Sequence, residues 1–155
     1  MPANAPYTAD TRHFVPQFDL VESAKYSNWL TGSNFLVVKY GLINVKEELA
    51  RISELPDNWD SYGAEAPARR AIEQTRSTLA ELAGNLLLPS TIVPSAAGGV
   101  SAYFMKNDTV AYIESYNDGT QTLVTYDRDG NTEVLEVGSE ILPAQLADQI
   151  TGYLG

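Results

Sequence analysis

The residues best placed to do chemistry crowd into LPDNWDSYGAEAP, positions 55 to 67, where Asp57, Trp59, Asp60, Tyr62 and Glu65 lie close together. A carboxyl group beside an aromatic wall loses solvation in its charged form, so its pKa rises and it can serve as a general acid. Asp60, Tyr62 and Glu65 form such a polar cluster next to Trp59. Acid catalysis also needs a nucleophile, a metal shell or an oxyanion donor, and the run supplies none of these. The same residue types fit a structural lock better. Trp59 offers a large apolar surface, Tyr62 a body to pack and a hydroxyl to pair, and Gly63 a left-handed turn. Asp57 and Asp60 can accept hydrogen bonds from the loop's own amides. The expectation is a corner that sets the angle between two flanking helices.

The rest of the chain holds no stronger chemistry. There is no cysteine, which removes disulfides, thiolate nucleophiles and cysteine-ligated zinc together. His13 is the one histidine and lies near the N-terminus, so a catalytic triad and a histidine-rich metal site both lack their central residue. DRDGNTE at 127 to 133 lacks the twelve-residue ligand spacing of a calcium loop, and a hairpin turn accounts for it. AAGGV at 96 to 100 is followed by no helix carrying Lys-Ser or Lys-Thr, so it reads as a strand start rather than a phosphate loop. No catalytic residue, metal ligand or cofactor is assigned, and the expected protein is not an enzyme.

Charge narrows the partners. The formal net charge is -10 and the pI about 4.4, a balance that repels a phosphate backbone and disfavours direct nucleic-acid binding. The acids are uneven: residues 106 to 155 hold nine, against only Lys106 and Arg128. An acidic end of this kind either solvates a sheet edge or docks onto a basic protein partner. The N-terminal MPANAPYTADTRHFVPQ lacks a basic segment followed by an apolar core, and no stretch of about 18 apolar residues exists to span a membrane. The expected location is the cytoplasm, of a bacterium or of an infected host cell, with no membrane contact.

Residues 1–20, with Pro2, Pro6 and Pro16 and no apolar period, read as a flexible or surface-laid arm that Phe14 and Phe18 could anchor. Residues 21–155 then form a single α+β domain. A short helix is expected over 21–32. At 34–43 two readings stay open: FLVVKY has the β-branched content of a buried strand, yet Phe35, Val38, Leu42, Val45, Leu49 and Ile52 fit one helix face. Ser33 could cap such a helix. Gly41 costs about 1 kcal/mol inside a helix, and Asn44 with Glu47 resembles a fresh N-cap. The spacing predicts helices over about 44–54, 67–87 and 140–153, with Pro67 in the first turn of the second. Leu142, Leu146, Ile150 and Tyr153 share one side of the last.

From 99 to 137 the chain reads as a four-stranded antiparallel meander, because Asn107-Asp108, Asp118-Gly119 and Asp129-Gly130 each fall between β-rich runs. Taken as two-residue turns, they place Phe104 opposite Ala111, Ala102 opposite Ile113, Ile113 opposite Val124 and Val124 opposite Leu135, all on one inner face with Val100. The other face then carries Tyr103, Met105, Val110, Tyr112, Glu114, Tyr116, Leu123, Thr125, Val134 and Glu136.

LPDNWDSYGAEAP, the following helix, PSTIVPSAAGGVSAYF and the strand ending in a DG turn together resemble a pattern in small uncharacterised bacterial and phage proteins. There, Leu-Pro-x-x-Trp-Asp-Gly-Tyr-Gly-Ala precedes a helix, a Pro-rich link and a Gly-Gly-Val strand. The resemblance covers about residues 49 to 130; Ser61 stands where the pattern usually has glycine, and the first 45 residues lie outside it. It implies the fold and no particular activity. The function expected from the residues is that of an acidic, non-enzymatic binding protein of the inhibitor, immunity or antitoxin type. Its contact surface would be Tyr103, Tyr112, Glu114, Tyr116 and Glu136, and its protein partner basic or nucleic-acid-binding. The alternative is a small-ligand protein, such as a nucleotide sponge, with tyrosines stacked on a base. Equally, the tyrosine face could be covered by the N-terminal arm or by residues 34–43.

Overall fold

Helical spacing prevails over β-branched content in the first element described by the computed structural model, which covers residues 33–155. Helix α1 runs unbroken over Ser33–Ser53, so 34–43 is helix, and Asn44 lies inside it rather than capping a new one. Gly41 is explained by a close approach: a Cβ there would lie 2.4 Å from Leu88 Cδ1. Val38, Val45, Leu49 and Ile52 line the buried side. The expected arm over 1–20, the helix over 21–32, and Phe14, Phe18 and His13 lie outside the described residues.

Helix α2 is Arg69–Ala83, shorter at both ends than the spacing suggested. Pro67 is buried in the loop ahead of it, with Ala68 in extended backbone at the cap. At the far end Leu86 takes φ 60, and the amides of Asn85 and Leu87 both turn back onto the Leu82 carbonyl. Helix α3, Pro143–Leu154, starts on a proline, whose missing N–H costs nothing in the first turn. Gln145 Oε1 accepts from the Leu142 amide at 3.0 Å. Leu146, Ala147 and Ile150 are buried, Tyr153 partly so, while Leu142 is exposed at the cap.

The sheet has five strands in sequential order, β1 Thr91–Ser95, β2 Gly99–Lys106, β3 Thr109–Tyr116, β4 Gln121–Tyr126 and β5 Thr132–Glu136, all antiparallel. The extra strand is TIVPS, which reads as a proline-rich link; proline is tolerated there because β1 is an edge. The first hairpin has the expected register, with Phe104 opposite Ala111 and Ala102 opposite Ile113. The next two do not. Tyr116 N bonds to Thr120 O and Asp127 N to Asn131 O, so each loop holds three residues and closes on a glycine at φ 91 (Gly119) or φ 83 (Gly130).

The first extra residue turns β4 over: Leu123, not Val124, faces Ile113, and Leu123 and Thr125 lie on the inner face with Val124 on the outer. The second turns β5 back, so Val134 and Glu136 are outer as expected, and Leu135 pairs with Leu123 rather than Val124. The three helices of the described residues pack on the inner face, where Leu79, Leu82, Val100, Phe104, Ile113 and Ile150 form the middle of the core. A buried polar chain crosses that interface, linking Thr75 of α2 to Ser115 (2.9 Å) and Ser115 to Gln121 (2.7 Å).

Candidate functional site: the outer face of the sheet

The LPDNWD corner is held by its own backbone. Asp60 Oδ1 accepts from the amides of Tyr62 (2.8 Å) and Ala64 (3.1 Å), Asn58 Oδ1 from Gly63 (2.8 Å), and Asp57 Oδ1 from Ala66 (2.9 Å). Asn58, Ser61 and Gly63 all have positive φ, of 62, 65 and 96. Asn117, in the β3–β4 loop, ties this corner to the sheet: its Oδ1 accepts from the Ala68 amide at 2.7 Å and its Nδ2 donates to the Ala66 carbonyl at 2.9 Å. The asparagine clamp is not legible in the sequence, where Asn117 reads only as a turn residue.

The acid-catalyst geometry is absent from this corner. Donation by the amides of Tyr62 and then Ala64 holds the Asp60 carboxyl below the usual aspartate range, the reverse of what a general acid needs. Tyr62 is 94% exposed and packs against nothing, contrary to its expected place in the lock. Its neighbour Ala64 takes the buried position, because the turn at Ser61 and Gly63 carries the tyrosine outward. Trp59 is half-buried, with its Nε1 enclosed and unpartnered.

The other candidates converge. On the sheet face opposite the helices, Tyr103 of β2 and Tyr112 of β3 sit directly across from each other and stack, ring centroids 4.9 Å apart at 28°. Tyr126 of β4 continues the stack at 5.9 Å and 25° from Tyr112. Cross-strand aromatic pairs of this kind stabilise a sheet by roughly 0.2–1 kcal/mol each, and here they present a slab of ring surface across three strands. Tyr126 reaches this face only because the three-residue loop turns β4 over; the two-residue count places it inside.

Beside the slab runs a polar row in which Ser101, Glu114, Thr122 and Glu136 face one another across β2, β3, β4 and β5. Glu114 is fixed from both sides: Tyr116 Oη donates to Oε2 at 2.9 Å and Ser95 Oγ donates to Oε1. Glu136 is exposed at the end of the row. Ser95, on the edge strand β1 that Pro94 conceals in the sequence, thus orients the Glu114 carboxylate.

Burial, followed by the neighbouring Tyr126, Glu114 and Tyr103, pushes the Tyr112 hydroxyl far above its ordinary value. Burial and Glu114 push Tyr103 the same way, and burial is the first cause for Tyr116 as well. These phenols therefore stay protonated and remain hydrogen-bond donors at neutral pH. Residues 34–43 do not cover the face, since they pack on Ala83 and Leu88, on the helical side. Among the described residues no group of three or more His, Cys, Asp or Glu side chains is placed to hold a metal ion, and no helix is long and apolar enough to cross a membrane.

Comparison of the chain with protein-family models, with curated proteins and with solved structures returns no match.

Proposed function

We propose that this is a non-enzymatic acidic binding protein of the inhibitor, immunity or antitoxin type, acting in the cytoplasm through the outer face of its sheet on a basic protein partner. The observation that carries it is the slab of Tyr103, Tyr112 and Tyr126 lying beside the oriented carboxylate of Glu114 and the exposed one of Glu136. Arginine or lysine side chains pair with such a surface twice over, by donating to tyrosine hydroxyl oxygens along the edge of the stack and by meeting carboxylates in the adjacent row. Aromatic residues are also the type that most often anchors a protein interface. The net charge of -10 steers a cationic partner inward, including one whose own groove binds nucleic acid.

A nucleotide ligand fits less well. The rings already stack on one another, leaving no slot for a base, and the cations Arg69, Arg70 and Arg76 lie on α2, away from the slab. Charge reversal at Glu114 and Glu136 tests the proposal. The variant is expected to lose partner capture at moderate salt, and capture with an unchanged salt dependence would refute the site.

A further inference from the structure

The outer-face row Tyr103, Tyr112, Val124, Val134 runs off the sheet at β5. All five residues of that strand are exposed, Val134 at 66% and Leu135 at 39%. Hydrogen-bonded pairs alternate along an antiparallel ladder. Because Asp127 with Asn131 and Gln121 with Val137 are bonded pairs, residues 131, 133, 135 and 137 face β4. The N–H and C=O of Thr132, Val134 and Glu136 therefore point away from the sheet, and among the described residues no element pairs with them. The opposite edge differs, for β1 carries Pro94, which has no N–H, and packs against α1. β5 has no proline, lysine or glycine, and Glu133 and Glu136 are the charges on its edge.

We propose that β5 pairs antiparallel with β5 of a second copy of this chain, about a twofold axis at Val134, joining the two sheets into one. The register follows from charge and from the free backbone groups. Centring on Glu133 sets two carboxylates directly opposite each other, which is destabilising. Centring on Val134 sets Val134 against itself, Thr132 against Glu136 and Glu133 against Leu135, with no like charges directly opposite and the two Glu133 side chains only diagonal to each other. It also satisfies both main-chain groups of all three outward residues. Centring on Leu135 would push Thr132 past the strand end, opposite Gly138. The Val134 register continues the row through Val134, Val124, Tyr112 and Tyr103 of the second copy. Such an interface is isologous and uses the same strand from both copies, so assembly stops at two.

Each copy's charge of -10 opposes association, so the dimer tightens as salt screens it, opposite to a basic partner on the tyrosine slab. The test is sedimentation equilibrium of the full chain over a range of concentration and salt, alongside Val134→Lys and Val134→Pro, with circular dichroism to check the fold. Position 134 is exposed and its N–H faces outward, so both variants fold. The expected result is a wild-type dimer that tightens with salt and that each substitution weakens about tenfold or more. Because the native chain has no cysteine, Val134→Cys supplies a second readout. A short bis-maleimide should join two copies through position 134 and should not join them through Asp148→Cys on the exposed side of α3. A wild-type chain that stays monomeric at every salt, or a dimer indifferent to both Val134 substitutions, would overturn the proposal.

Discussion

Replacing Thr75 with valine should destabilise the protein by about 2 kcal/mol, although the two side chains have nearly the same shape. Thr75 is 1% exposed and its hydroxyl lies 2.9 Å from both the Ala71 carbonyl and Ser115 Oγ. A carbonyl cannot donate, so the single Thr75 proton goes to Ala71 and the Ser115 proton goes to Thr75. Ser115 Oγ in turn accepts from Gln121 Nε2 at 2.7 Å, and Gln121 Oε1 accepts from Thr78 at 3.2 Å. The bonds form one directed chain between α2 and the sheet. Valine leaves the Ser115 hydroxyl, fully enclosed, with a proton and no acceptor, and an orphaned buried donor costs about 1–3 kcal/mol. For a chain of this length that is a fall in Tm of about 4–8 °C. Urea unfolding of Thr75→Val, Ser115→Ala and the double variant measures it. The double variant should cost less than the sum of the singles by about 1 kcal/mol, because the orphaned donor is gone. A Thr75→Val variant within about 0.5 kcal/mol of wild type, as a surface change would be, or strict additivity of the pair, would refute the directed chain.

Two glycines in left-handed backbone should separate conformational cost from steric cost. Gly130→Ala meets nothing within 4 Å and should lose only about 1–2 kcal/mol, whereas a Cβ at Gly99 would lie 2.0 Å from the Ser115 carbonyl oxygen, so Gly99→Ala should lose markedly more in the same denaturation assay. Ser61→Gly should gain about 0.5–1 kcal/mol, since Ser61 holds φ 65 at a cost that glycine avoids, less glycine's extra freedom when unfolded. The raised Tyr112 pKa fixes a sign in alkali. The unfolded tyrosine ionises near its ordinary value of 10 while the folded one keeps its proton, so its stabilising contribution is complete below pH 10 and is lost as pH rises above it. Stability followed by denaturant midpoint should fall from pH 10 upward, and Tyr112→Phe should flatten that fall.

The parts of this fold that local chemistry decides are legible in the chain. The α2 helix, the Asn107-Asp108 hairpin and the inner face of β2 and β3 follow from spacing and turn residues. The same spacing fits α1, but Gly41 argued against it locally, and what licenses that glycine is a tertiary contact with Leu88 that no local window contains. Strand β1 is hidden by Pro94, whose meaning depends on lying at an edge. The Asp118-Gly119 and Asp129-Gly130 pairs announce hairpins but not their loop length; one extra residue in each moves Tyr126 to the outer face and Leu123 to the core. Tyr103, Tyr112, Glu114 and Tyr116 are legible as one face because the Asn107-Asp108 turn holds two residues, and Glu136 joins them because β5's slip cancels that of β4. The exposure of Tyr62 is not legible because burial at a corner depends on the handedness of single residues there, Ser61 and Gly63.

The tyrosine slab is tested most directly by affinity capture from the source cell or its host, with the intact protein and a Tyr103→Ala, Tyr112→Ala double variant shown by circular dichroism to be folded. Eluates are compared by mass spectrometry at low and moderate salt. A specific basic protein should be held by the intact chain, weaken as salt rises and vanish with the double variant. A partner retained equally by both proteins, or capture of nothing by the intact chain at low salt, would contradict a binding role for the outer face.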